Sequence, residues 1–96
     1  MERDELLAIL RAQKPYLARR FGVRRMALFG SYAKERANPK SDIDLLVELE
    51  GEQIFRNFFA LRQYLEEQLH RPVDLGTFAA LKKSVRKQIL QEAVDV

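Results

Sequence analysis

The stretch GSYAKERANPKSDIDLLVE, residues 30–48, sets a Gly-Ser pair ahead of two aspartates that alternate with aliphatic residues. Ile43, Leu45, Val47 and Leu49 repeat at period two and mark one apolar face, while Asp42, Asp44 and Glu48 fall on the other with Leu46 between them. This alternation predicts a strand over about Asp42–Leu49. The two carboxylates leave such a strand on the same side, with Cβ atoms about 6 to 7 Å apart, twice the strand rise. Both can then reach a site whose metal ions lie about 3.5 to 4 Å apart, and a ligand set made only of oxygens suits magnesium or manganese. Taken alone, an Asp-x-Asp is better explained as the solvated face of an ordinary antiparallel strand.

The residues upstream shift that balance. Val23, Met26, Ala27, Leu28 and Phe29 form an apolar run with β-branched and aromatic character, which predicts a strand over about Arg24–Phe29. It stops at Gly30-Ser31, and Tyr32, Ala33 and Lys34 can open a short helix. A glycine lets backbone approach a ligand closely, and the first amides of a helix are unpaired donors, so phosphate is well placed at such a corner. Ser31 adds a hydroxyl. A plain N-cap and turn describe the same pair, and the two roles are compatible. Asn38, Pro39 and Lys40 then turn the chain before Ser41 leads into the aspartate strand.

In this order and spacing, Gly30, Ser31, Ala33, Lys34, Ser41, Asp42, Ile43, Asp44 and Leu45 resemble the signature of the minimal nucleotidyltransferases (MNT) of the DNA polymerase β superfamily, the antitoxin half of HEPN/MNT pairs. The resemblance covers nearly the whole chain. It implies an α/β (α+β) fold with a small mixed β-sheet flanked by helices, like the polymerase β palm. It also implies a third carboxylate on a following strand, for which Asp74 in Pro72-Val73-Asp74-Leu75 is the match. The implied activity is transfer of a nucleoside monophosphate, AMP from ATP, to a hydroxyl acceptor on a partner HEPN toxin. Asp42, Asp44 and Asp74 are then catalytic and hold two Mg2+ ions, with Mn2+ an alternative, while Gly30, Ser31, Lys34 and Ser41 contact the nucleotide. Glu35 departs from the pattern, since it stands where the family has its second glycine. If that position needs φ > 0, glutamate strains the loop. A non-catalytic nucleotide-binding or occluding antitoxin is therefore the alternative, and transfer to a small molecule or an RNA end is a third reading.

Composition sets the wider bounds. At 96 residues, 47% hydrophobic and 32% charged, the chain reads as one domain over residues 1–96 with an ordinary globular balance. There is no cysteine, so neither a disulfide framework nor a thiolate metal site is available. No leader pattern opens the chain and no apolar run is long enough to span a bilayer, from which a cytoplasmic protein without a membrane role is expected. The net charge of +3 is concentrated in Arg19, Arg20, Arg24 and Arg25 and in Lys82, Lys83, Arg86 and Lys87. These basic residues alternate with apolar positions at helical spacing rather than with stacking aromatics, so they read as solvated helix faces, and nucleic acid is the minor reading. A hetero-oligomer is expected, with a homodimer left open.

Helical spacing predicts a first helix from Glu2 to about Arg20, stopped by Gly22 and broken near Lys14 or restarted at Pro15. A second long helix runs through Ile54, Phe58, Leu61 and Leu69 and ends at His70 and Arg71, with His70 assigned to the helix end and not to catalysis. A strand follows over Pro72–Leu75, broken by Gly76 and Thr77, and a last helix is lined by Leu81, Val85, Ile89, Leu90 and Ala93. Phe55, Phe58, Phe59 and Tyr64 are too many aromatics for one helix to bury, which leaves some for a partner surface.

Overall fold

The computed structural model describes residues 1–96. Helix α1 (Arg3–Phe21) leads into strand β1 (Val23–Phe29), the one-turn helix α2 (Gly30–Ala33) and strand β2 (Ile43–Leu49). Helix α3 (Ile54–Leu69), strand β3 (Val73–Thr77), a 3-10 turn (Phe78–Ala80), helix α4 (Lys83–Glu92) and strand β4 (Val94–Asp95) complete the chain. The sheet order is β3-β2-β1-β4, with β2 parallel to β3 and the other pairs antiparallel. This is the small mixed sheet flanked by helices that the resemblance implied.

Ile43, Leu45 and Val47 are wholly buried and join Leu6, Leu10 and Leu17 of α1 and Leu61, Leu65 and Leu69 of α3 in one core. Burying the three β2 side chains contributes roughly 5 to 9 kcal/mol. A one-residue slip of β2 would turn them out and carry Asp44 and Glu48 in, so this term sets the register that places the aspartates.

Four expectations need correction. Helix α1 is continuous through Pro15. Pro15 and Arg11, whose carbonyl loses its i+4 donor, are both exposed, so water can serve the orphan group. Strand β2 begins at Ile43, which leaves Asp42 in the approach to the strand. Gly76 and Thr77 do not break β3, because they pair with Leu46 and Val47 of the parallel neighbour. Finally, α4 buries no residue, and its expected apolar line is not a core face. The chain instead closes the sheet with β4, whose Val94 pairs with Leu28, and tucks Val96 into the core. A two-residue strand has no periodicity for a sequence to display.

Candidate active site

The register of the sheet builds the site. Asp44 of β2 lies beside Asp74 of β3 as a parallel pair, and Asp44 also faces Phe29, the last residue of β1, across the antiparallel ladder. In-register neighbours present their side chains on one sheet face, so the two carboxylates share a side. Asp42, one residue ahead of β2, adds its charge to theirs. Asp44 is half-buried, and its pKa is pushed up from 3.8 to about 6. Burial is the main cause, followed by repulsion from Asp74 and then Asp42, and by a hydrogen bond between the Asp44 and Asp74 side chains.

This donor set fits a hard divalent cation in kind. Its oxygens are all carboxylate, and their mutual repulsion, expressed at Asp44, is the cost that a bound cation removes. The side chains are not already closed into a three-ligand cluster.

The Gly-Ser corner meets the same carboxylate. Gly30 has φ 72° and starts α2, and a Cβ there would run into the Asp44 carboxylate. Only glycine satisfies both demands. The N-cap position falls on Phe29, with no side-chain cap, so Ser31 is not the capping residue that the plain reading made it.

Two other candidates have protein partners. The Lys34 ammonium lies 3.0 Å from the Glu92 carboxylate at the end of α4. Ser41 Oγ accepts a hydrogen bond from the Asn38 amide at 2.9 Å, and Lys40 N–H donates to Asn38 Oδ1 at 2.8 Å, which fixes the turn ahead of Asp42. The chain therefore gathers Gly30, Asp42, Asp44 and Asp74 directly, holds Lys34 by Glu92, and uses Ser41 to shape the loop.

Glu35 sits at φ 57°, so the position does require the left-handed conformation, and a non-glycine residue there carries strain of about 1 kcal/mol. Its carboxylate is 3.6 Å from the Arg3 guanidinium, which also donates to the Ala33 carbonyl at 3.4 Å. Sequence reasoning missed Arg3 and Glu92, since no local pattern announces a contact between chain ends and a central loop. His70 takes the left-handed cap position of α3 at φ 54°.

A groove between α3 and the edge strand β3 opens beside the carboxylates and is lined by Asp42, Asp74, Phe58, Arg62 and Glu66. Glu66 closes its inner wall by accepting the Val73 amide at 3.0 Å.

Residues 10–96 match the nucleotidyltransferase domain family. The chain is 41% identical over 93 residues to the protein adenylyltransferase MntA of Thermococcus cleftensis, covering 97% of this chain and 94% of that protein. A solved structure of a proposed minimal nucleotidyltransferase superposes with a TM-score of 0.85 at 33% identity, over all of this chain and 97% of that one. The fold also recurs, at 22% identity and a TM-score of 0.57, in the complex of a tri-AMPylated HEPN toxin with an MNT antitoxin from Shewanella oneidensis, covering 97% of this chain and 66% of that one. With Asp44 and Asp74 set in adjacent strands beside a glycine corner and this match along nearly its full length, the chain belongs to the nucleotidyltransferase domain family.

Proposed function

We propose that the chain is a metal-dependent protein adenylyltransferase that moves AMP from ATP to a hydroxyl on a HEPN-domain toxin and thereby acts as its antitoxin. The observation that carries this reading is the position of Asp44, between Asp74 on one side and the bare Cα of Gly30 on the other. A carboxylate pair next to open backbone suits in-line phosphoryl chemistry, where catalysis rests on positioning and charge. The reading is supported by the adenylyltransferase name of the Thermococcus relative and by the AMPylated toxin bound to the Shewanella antitoxin. No helix is long and apolar enough to cross a membrane, in keeping with a cytoplasmic site of action.

In this proposal Asp42, Asp44 and Asp74 hold magnesium or manganese. A metal held there would supply Lewis-acid chemistry, lowering the pKa of the acceptor hydroxyl and offsetting charge on the leaving pyrophosphate. Gly30 gives the triphosphate access to backbone amides, Ser31 adds its hydroxyl, and Lys34 exchanges Glu92 for a phosphate oxygen. Ser41 keeps the Asn38–Ser41 turn in shape, which sets the approach of Asp42. Asp74, on the edge strand, faces the groove from which an acceptor would come, and it accepts the hydroxyl proton.

One observation favours a second reading. Glu35 places a carboxylate and a strained backbone in the loop beside the corner, as expected of an antitoxin that binds nucleotide or occludes its partner without turnover. Intact-mass spectrometry of the HEPN-domain protein after incubation with this chain, magnesium and ATP separates the two. A gain of nucleotidyl units that disappears with Asp44→Asn is the expected result. An unchanged mass despite relief of toxicity would leave only the binding role.

A further inference from the structure

The polar end of the groove is Asp42 and Asp74, and its apolar wall is Phe58. From Phe58 an aromatic ladder continues outward along α3. The Phe58 and Phe59 rings meet edge to face at 5.5 Å, and Phe59 meets Phe55 at 5.4 Å. The outer two rungs are uncovered, with Phe55 80% and Phe59 54% exposed. The same helix buries Leu61, Leu65 and Leu69 completely or nearly so. The exposed rings therefore do not reflect a helix lacking a core face; they form a second apolar face.

The sheet order gives that face a direction. The Gly30-Ser31 corner follows β1, and Asp74 lies on β3, so they flank β2 from opposite sides. In-line transfer puts the leaving group and the incoming hydroxyl on opposite sides of the phosphorus. With the triphosphate at the β1 corner, the hydroxyl arrives from β3, where the groove and its aromatic ladder begin.

We infer that Phe58, Phe59 and Phe55 are the acceptor-docking surface: the partner protein lays an apolar segment on the ladder and projects its hydroxyl down the groove to Asp74. This rests on the transferase reading above. The occupant is a protein, because a small hydroxyl compound would fill the groove without covering Phe55. Aromatic residues, Phe among them, are also enriched at protein–protein interfaces relative to the rest of the surface.

The test uses Phe55→Ser/Phe59→Ser, at positions exposed enough for the fold to tolerate the change. AMP transfer to the HEPN-domain protein is followed with labelled ATP, alongside binding of a non-hydrolysable ATP analogue. The expected result is a KM for the acceptor raised about tenfold, with the affinity for the analogue unchanged. An unchanged acceptor KM, with transfer still abolished by Asp44→Asn, would overturn the inference while sparing the transferase reading. Sedimentation showing that the double variant splits a homodimer without changing the acceptor KM would reassign the ladder to self-association. Transfer that survives in Asp44→Asn would overturn both readings.

Discussion

The Asp44 carboxylate rests against the bare Cα of Gly30, so closely that one added methyl on the glycine would collide with it. The left-handed backbone of Gly30 would resist that methyl as well. Gly30→Ala is expected to destabilise the protein by about 1 to 3 kcal/mol and to displace Asp44, lowering transfer at least tenfold. Chemical denaturation and initial-rate measurements on the same preparation check both effects. Stability and rate at parental levels would show that the corner can relax.

The raised pKa of Asp44 makes a signed prediction for the metal-free protein. The folded state holds this proton more tightly than the unfolded chain, so the group's stabilising contribution is complete below pH 3.8 and lost as pH rises through about 6. Above that, the ionised group weakens the fold by about 1 to 2 kcal/mol once solvent screening is allowed for. Asp44→Asn should therefore match the parent near pH 4 and exceed it in stability near pH 8. Melting curves across this range, with EDTA present, test the sign, and added magnesium should narrow the difference at high pH.

Arg3 and Glu35 form a clasp over the turn that follows α2. Because Glu35 occupies a left-handed position, Glu35→Gly removes strain along with the carboxylate. Arg3→Ala in the parent should weaken ATP affinity about threefold by loosening the turn, and the same change in a Glu35→Gly background should have less effect. Titration calorimetry on the four proteins of the cycle gives the coupling. Equal losses in both backgrounds would mean that Arg3 acts through the Ala33 carbonyl instead.

Glu92 is the ion-pair partner of Lys34, and in the proposed site it would compete with phosphate for that ammonium. Glu92→Gln is expected to tighten ATP binding about two- to threefold with little change in turnover, and Lys34→Ala to weaken it in either background. Looser binding in Glu92→Gln would instead make Glu92 a residue that positions Lys34.

Much of the fold was legible from local pattern. The alternation of Ile43, Leu45 and Val47 dictated both the strand and the face that Asp44 occupies, since period two leaves a side chain only one other side to take. The helical spacing of Ile54, Phe58, Leu61 and Leu69 similarly marked α3, whose bounds agree with those read from the sequence. Local pattern also exposed the surplus of aromatics on α3, because one apolar stripe cannot take in Phe55, Phe58, Phe59 and Tyr64 together.

Tertiary structure decided what depends on distant partners. Pro15 was tolerated because its side of α1 faces water, which helical periodicity alone did not weigh against the proline penalty. Strand β3 ran on through Gly76 because β2 offered a ladder to pair with, and β4 formed from two residues because β1 had a free edge. The same holds at the site. The sequence by itself determined which residues carry negative charge and where a Gly-Ser corner ends the first strand. Only the folded sheet decided that Asp44 lies between Asp74 and Gly30, that Glu35 is left-handed and clasped by Arg3, and that Lys34 is held by Glu92. The physical reason is that side-chain type and period are local properties, whereas register, burial and ion pairing arise when segments far apart in the chain close on a common core.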